Sequence, residues 1–444
     1  MTFWLTMPNI SISSQFFSLL RHKSFQNFIF LFFIQSSNVV ISLITIPLLI
    51  QSLGVAQFGL VNLSLSVIFF GNVAVAFGYN LSGPREIAVN QDNPQAMSEV
   101  ASKIFFSKFL FALAACVILG LLVFVFGFFS GYQAILLFSL VILFSEATQS
   151  VWFFQGLEKM KAVSVANLFA KLAYLLTLIF FIKSPEDAKW VNFLLGITAL
   201  GFNIYLGSYI HFILKVKLFL PKWKSLFISW KENFSLFLSG VASHFSVSGG
   251  LIILSFFASA TVLGMFSMAE KITMVLRMVP TLITQATYPN ASKLFAADQL
   301  RFYNFLKKVY VGSLGLSLGI TIMFFLGAPQ IIWFFSNEEL EESVSFLKLL
   351  SFVPFLASLN IANMIIILVG GFNRLLFDAT WSFCCFMILA CSVLGYFFGG
   401  VGLAYGLLAT ELFIFISCSI LLKMKNSLHF EAFYKRLFSS HYFA

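Results

Sequence analysis

Runs of about twenty predominantly apolar residues, separated by short polar, proline or glycine breaks, recur along the whole chain. Wound as a helix rising about 1.5 Å per residue, each such run spans the roughly 30 Å hydrocarbon core of a bilayer. Inside lipid only helices and closed barrels satisfy their own backbone hydrogen bonds, and runs of this length suit the helix. Of 444 residues, 60% are hydrophobic and 10% are charged, against about 25% charged in an average soluble domain. A water-soluble fold built from this chain would expose large apolar patches, whereas lipid accepts every apolar face. The expected fold is therefore all-α, a polytopic membrane protein of about twelve transmembrane helices.

Helices are expected near 25–50, 58–80, 104–126, 132–155, 163–182 and 190–214, then near 234–257, 263–288, 309–327, 345–369, 377–398 and 401–422. Pro84, Pro94, Ser184 with Pro185, Pro221, and Gly370 with Gly371 punctuate them. This divides the chain into an N-terminal cytoplasmic or interfacial segment (1–24), a six-helix bundle (25–214), a cytoplasmic linker (215–233), a second six-helix bundle (234–422) and an amphipathic cytoplasmic tail (423–444). The first apolar run does not read as a cleaved leader, because Arg21 and Lys23 follow Phe16 to Leu20 instead of preceding them. No connection is long enough for a soluble domain, so any chemistry must come from the helices.

The formal charge of +10 has a topological origin. Lys and Arg crowd the loops on the side of the two ends: Arg21 and Lys23; Arg85, Lys103 and Lys108; Lys159 and Lys161; and five from Lys215 to Lys231. Lys293, Arg301, Lys307 and Lys308, then Arg374, then four from Lys423 to Arg436 continue the pattern, while the opposite loops hold Lys183, Lys189 and Lys348. By the positive-inside rule both termini are cytoplasmic, and a nucleic-acid partner is not implied. In the tail, Phe430, Phe433, Tyr434, Leu437 and Phe438 recur at helical spacing among basic residues, as in a helix lying on an anionic leaflet. The five cysteines sit in apolar runs without metal-ligand spacing, and the sequence has no phosphate-binding glycine loop, zinc-protease motif or dinucleotide fingerprint. Neither a cofactor, a metal nor a catalytic residue is assigned.

The halves look related. Asn27-Phe28 and Asn233-Phe234 stand 206 apart, and Gly59 and Pro84 recur 205 residues on as Gly264 and Pro289. With an even number of helices per half, such a repeat is parallel, about an axis along the membrane normal, which suits two pseudo-symmetric bundles rocking around a central passage.

Six charged residues fall within expected spans: Glu146, Lys171, Glu270, Lys271, Arg277 and Glu411. Each costs about 2.5 to 3.5 kcal/mol at the bilayer centre on insertion scales, so most must face a bundle interior or a wet cavity. Glu270 and Arg277 share a helical face about 10 Å apart along the axis, whereas Lys271 points roughly 100° away. Lys171 also has a snorkelling alternative, and Glu146 and Glu411 each read equally as a neutralising partner in an internal ion pair. His244 reads as a packing histidine, Asn360 and Asn363 as interhelical hydrogen bonders, and Gly312, Gly315 and Gly319 as a close-packing stripe.

The stretches LIQSLGVAQFGLVNLSLSV (49–67) and GYNLSGPREIA (78–88) resemble the first helical pair of the Wzx-type polysaccharide flippases. These belong to the multidrug/oligosaccharidyl-lipid/polysaccharide (MOP) exporter superfamily. Similar support comes from GMFSMAEKITMVLRMVP (264–280), TYPNASKLF (287–295) and FGGVGLAYGLLATE (398–411). The resemblance implies a bacterial inner-membrane transporter and not an enzyme. Its cargo would be an undecaprenyl-diphosphate-linked oligosaccharide such as an O-antigen repeat unit. Its partners would be membrane lipids, a coupling proton or sodium ion, and the polysaccharide polymerase machinery. By the same resemblance Arg277, Lys271, Lys171 and Arg85 would be the lumen cations that meet the diphosphate, with Glu270, Glu146 and Glu411 in gating or ion coupling; Arg85 reads equally as a positive-inside anchor. The rival readings are an ion-coupled drug or cation antiporter of the same superfamily, a repeat-unit polymerase or ligase, and a non-transporting scaffold.

Overall fold

A computed structural model describes residues 23–127, 130–425 and 427–438, so most of the N-terminal segment and the last six residues of the tail lie outside the described residues. The N-terminal half comprises α1 (Lys23–Ala76), α2 (Tyr79–Val89), α3 (Pro94–Phe124), a rod broken into α4 (Gln133–Ser139), α5 (Val141–Thr148) and α6 (Val151–Gly156), then α7 (Met160–Phe181) and α8 (Ala188–Phe212). The second half comprises α9 (Trp223–Ser248), α10 (Gly250–Leu254), α11 (Ala260–Ala297), α12 (Gln299–Ser336), α13 (Glu341–Leu350), α14 (Val353–Leu359), α15 (Ile361–Val369), α16 (Asn373–Lys425) and α17 (Ser427–Phe438). No strand occurs among the described residues, and eight helical stretches are long and apolar enough to cross a membrane. The linker expected over 215–233 is shorter than that, because α9 begins at Trp223.

Two of the helices are double. At 54 residues, α1 would measure about 80 Å if straight, far more than a bilayer core of roughly 30 Å. It turns at Gly54, whose φ of 77° favours a residue without a Cβ. Asn38 and Asn72, on either side of the turn, line one cavity, so the two limbs run side by side. In α16 the turn is Gly399, φ 57°, and Gly406 of the second limb lies against Cys391 of the first.

The apolar core shows how the two lobes meet. On the face away from the chain ends one continuous cluster joins both lobes, from Leu49, Leu53 and Phe58 through Leu178 and Ile182 to Leu263, Phe266, Ala328 and Phe346. On the face of the chain ends the clusters are separate. One gathers Tyr79, Met97, Trp152 and Phe153 in the first lobe, and another gathers Phe302, Ile361, Ile365 and Cys418 in the second. The start of α9 clasps the first lobe there: the Tyr79 hydroxyl lies 2.9 Å from Ser229 Oγ, and Trp230 Nε1 donates to Ser107 Oγ at 2.9 Å.

At the centre of the joined face Gly59 of α1 meets Gly264 of α11. A Cβ on Gly59 would collide with Gly264 and with the carbonyl oxygen of Ala260, and one on Gly264 with the carbonyl oxygen of Val55. Residues 55 and 260 are themselves 205 apart, so the contact is reciprocal, as it must be on a two-fold axis. The repeat offset seen in the sequence thus places these two glycines on the pseudo-symmetry axis.

Two expectations are corrected. Gly312, Gly315 and Gly319 do not pack closely: a Cβ on any of them meets nothing within 4 Å. The buried stripe of α12 is instead Ser313, Ser317 and Thr321, with Ser317 Oγ 2.6 Å from Ser358 Oγ and Thr321 Oγ1 donating to the Ser351 carbonyl at 2.8 Å. The apolar face of α17 docks on protein and not on lipid. Phe433 is fully buried, the Tyr434 hydroxyl donates to Asn363 Oδ1 at 3.4 Å, and Lys307 Nζ donates to the Arg436 carbonyl at 2.8 Å. Helical spacing of aromatics looks the same whether the covering surface is a leaflet or another helix.

Alanine replaces a helical glycine with a gain of about 0.5 to 1 kcal/mol where there is room. Gly312→Ala should therefore leave or raise the melting midpoint of the purified protein, and Gly264→Ala should lower it; equal midpoints would refute the close contact.

Candidate functional site

In the first lobe a cavity of about 200 Å³ lies between α1, α5, α7 and α8. Its polar walls are Asn38 and Asn72 of α1, Glu146 of α5, Gln149 at the break before α6, Asn167 and Lys171 of α7, and Asn203 of α8. Asn167 Nδ2 donates to Ser37 Oγ at 3.2 Å and to Asn38 Oδ1 at 3.4 Å, and Asn203 Nδ2 donates to the Ser145 carbonyl at 2.8 Å. Asn72 Oδ1 is buried without a partner among the described residues. Lys171 makes no ion pair among the described residues.

Glu146 does not neutralise Lys171. Its Oε1 takes Lys108 Nζ of α3 at 3.2 Å, and Lys108 is fully buried, with the Gln149 carbonyl as a second acceptor at 3.5 Å. The sequence reading had counted Lys108 among the cations of the termini's face, and that is corrected: its ammonium sits inside the helix bundle. The broken rod makes this pairing available. Gln149 has extended backbone, which frees its carbonyl for Lys108 and for Trp152 Nε1 at 3.0 Å, as irregular backbone at membrane depth requires.

In the second lobe Glu270 and Arg277 of α11 share a small space of about 30 Å³ with Glu411 of α16. Arg277 Nη2 bonds Glu411 Oε1 at 2.5 Å, with the Arg277 side chain 27% exposed and that of Glu411 only 6%. Of the two readings left open for Glu411, the ion pair is the one found. Lys271 points the other way, its ammonium 5.4 Å from the ring centre of Phe58 on α1, a cation–π contact across the lobes. It also lies within electrostatic range of Lys171.

The seven residues singled out from the sequence thus fall into separate groups. Lys171 and Glu146 share the first cavity; Glu270, Arg277 and Glu411 share the second; Lys271 bridges the lobes. Arg85 stands apart, exposed on α2, where its neighbour Glu86 takes Lys103 at 2.9 Å. Asn360 and Asn363 are interhelical hydrogen bonders as expected, Asn363 Nδ2 donating to Ser419 Oγ at 2.9 Å. His244 Nε2 is buried with no hydrogen-bond partner among the described residues, unlike a satisfied packing histidine.

The cavity's amides escaped the sequence reading. An amide inside an apolar run is the same kind of problem as a charge, at smaller cost, and a search for Asn and Gln within spans would have found Asn38, Asn72, Gln149, Asn167 and Asn203. Chemically, one free ammonium and a ring of amides can receive an anionic group together with hydroxyls.

Removing one member of a buried ion pair costs about 3 to 5 kcal/mol, whereas replacing both by apolar residues is often neutral. Lys108→Leu should therefore destabilise the protein strongly in detergent denaturation, and adding Glu146→Leu should recover most of the loss. A double variant no better than the single one would show that the pair is not the source.

The family described as "Polysaccharide biosynthesis protein" matches residues 24–295. Among curated proteins, one described as "Putative O-antigen transporter" from Escherichia coli (strain K12) is 25% identical over 394 residues, covering 87% of this chain and 93% of the relative. Its namesake from Shigella dysenteriae is 27% identical over 404 residues, covering 88% and 97%. Among solved structures, the lipid II flippase MurJ in an inward closed conformation superposes with a TM-score of 0.70 at 13% identity, covering 92% of this chain and 90% of that one. An inward-facing multidrug resistance MATE family transporter of the MOP superfamily gives a TM-score of 0.68 at 15% identity, covering 89% and 99%. These two likenesses establish the shared two-lobed membrane fold. With a match over more than half its length, the chain belongs to the polysaccharide biosynthesis protein family.

Proposed function

We propose that the protein is a flippase that moves an undecaprenyl-diphosphate-linked oligosaccharide, such as an O-antigen repeat unit, between the leaflets of the bacterial inner membrane. The observation that carries this reading is Lys171, a cation in an amide-lined cavity that makes no ion pair among the described residues. A diphosphate entering hydrocarbon loses its water and needs fixed cations in exchange, few enough to release it again. Lys171 supplies one, and Lys271, seated against the Phe58 ring, supplies another from the opposite lobe. The cavity amides take sugar hydroxyls. The names of the curated relatives support the same cargo class.

Transport proceeds by alternating access. The lobes are joined on the face away from the chain ends and have separate cores on the other, which supports a passage opening toward the termini. That face is the cytoplasmic one in this reading, and the basic bias supports it even without Lys108. Rocking about the glycine contact would close the loaded side and part the sealed one. The carboxylates Glu146, Glu270 and Glu411 change partners in that motion, and a coupling proton or sodium ion would act on them. A surplus carboxylate beside Arg277 and Glu411 is the one feature favouring the antiporter alternative.

In cells lacking their own flippase, Lys171→Ala and Lys271→Ala should each reduce surface polysaccharide at least tenfold with the protein still inserted. Lipid-linked oligosaccharide should accumulate on the inner leaflet, and Lys171→Arg should restore part of the export. Full export by Lys171→Ala, or an unchanged lipid pool with increased drug sensitivity on deletion, would refute the flippase. Arg277→Ala should also abolish export, and Arg277→Ala with Glu411→Ala should not recover it; recovery would make that pair purely structural.

A further inference from the structure

A second concavity opens on the outside of the first lobe. It measures about 690 Å³ and is formed by α3, α5, α8 and the segment after α8, with Phe106, Phe109, Thr148, Gly207, Leu218 and Leu220 among its walls. Its walls are mostly apolar, with Ser102, Thr148, Asn203, Ser208 and His211 as the polar members. In a bilayer a flat apolar face needs no specific occupant; a concave one must be filled by something of matching shape. The concavity persists because the segment after α8 is pinned along α3. The Lys217 backbone N–H donates to Ser98 Oγ at 3.1 Å and that of Phe219 to Ser102 Oγ at 3.0 Å.

Two features define the occupant. The first is charge: Lys215, Lys217, Lys222 and Lys224 are exposed on or just after the pinned segment and form no ion pair among the described residues, so the mouth of the groove is basic. The second is its position directly beside the polar cavity. Asn203 lines both spaces, and successive residues of α5 divide between them, Ser145 and Glu146 facing the cavity, Ala147 and Thr148 the groove. The two spaces therefore share a wall one helix thick.

We infer that this groove holds the polyisoprenyl chain of an anionic carrier lipid, with the phosphate at the basic segment and the chain left outside the lobe when the headgroup enters the Lys171 cavity. The inference rests on the flippase reading and adds where the tail docks. It explains how a long apolar chain stays in lipid-like surroundings while its polar end crosses the bilayer.

Gly207 and Gly201 of α8 provide the test, because an added Cβ meets nothing within 4 Å at either position, and only Gly207 lines the groove. The full chain in phosphatidylcholine nanodiscs is labelled with a photoactivatable polyprenyl diphosphate, and the labelled peptides are mapped by mass spectrometry. Label should fall on the groove walls in α3 and α8, drop at least fivefold in Gly207→Phe and stay unchanged in Gly201→Phe. Excess polyprenyl phosphate should compete it away and phosphatidylglycerol should not. Lys217→Glu with Lys222→Glu should weaken the same label from the headgroup side, which keeps the test available if Gly207→Phe fails to fold. Label elsewhere on the chain, or equal competition by phosphatidylglycerol, would overturn the groove assignment and leave the flippase standing. No label anywhere would defeat both.

Discussion

Backbone-to-backbone contact between Gly59 and Gly264 is the constraint on which the rest of the structure depends. A Cβ on either glycine would strike the carbonyl oxygen four positions, about one turn, before the other glycine on the facing helix. Such reciprocity occurs only where a pseudo-two-fold axis passes between equivalent positions. A side chain at either site would hold the helices apart and deprive Leu53, Phe58, Leu263 and Phe266 of the packing that joins the lobes. Apolar packing alone gives little drive to helix association in lipid, because acyl chains are equally apolar; close approach of small residues supplies the contact instead.

Around that axis the two lobes handle charge differently. The first pairs buried Lys108 with half-buried Glu146 and keeps a further cation, Lys171, without an ion pair among the described residues. The second pairs Arg277 with Glu411 and keeps a further acid, Glu270, beside them. The repeat that duplicated the helices has not duplicated their electrostatics. The first lobe therefore presents an amide-rich cavity with a cation, and the second a small space with a surplus carboxylate.

Much of the architecture was legible in the sequence because the bilayer enforces simple rules. Apolar length gave the helices, the Lys and Arg distribution gave a preferred side, and the offset of 205 pointed to Gly59 and Gly264 before their contact was seen. The site was less legible. Lys108 reads as a loop cation from its distance to Lys103, and only the fold shows it fourteen residues inside α3 and fully buried. Whether Arg277 faces a passage or a carboxylate depends on α16, more than a hundred residues away in the chain. Amides carry no formal charge, so Asn72 and Asn203 drew no attention, although in hydrocarbon their hydrogen bonds must also be met.

The break between α5 and α6 gives one wall of the cavity a joint. An unbroken helix transmits displacement along its whole length, whereas this rod has its bare carbonyl at Gln149 held by an indole and an ammonium. The angle of that joint is thus tied to where the ammonium of Lys108 rests, and through it to the pairing with Glu146. A wall articulated in this way yields locally without loosening the joined face at the far end of the helices.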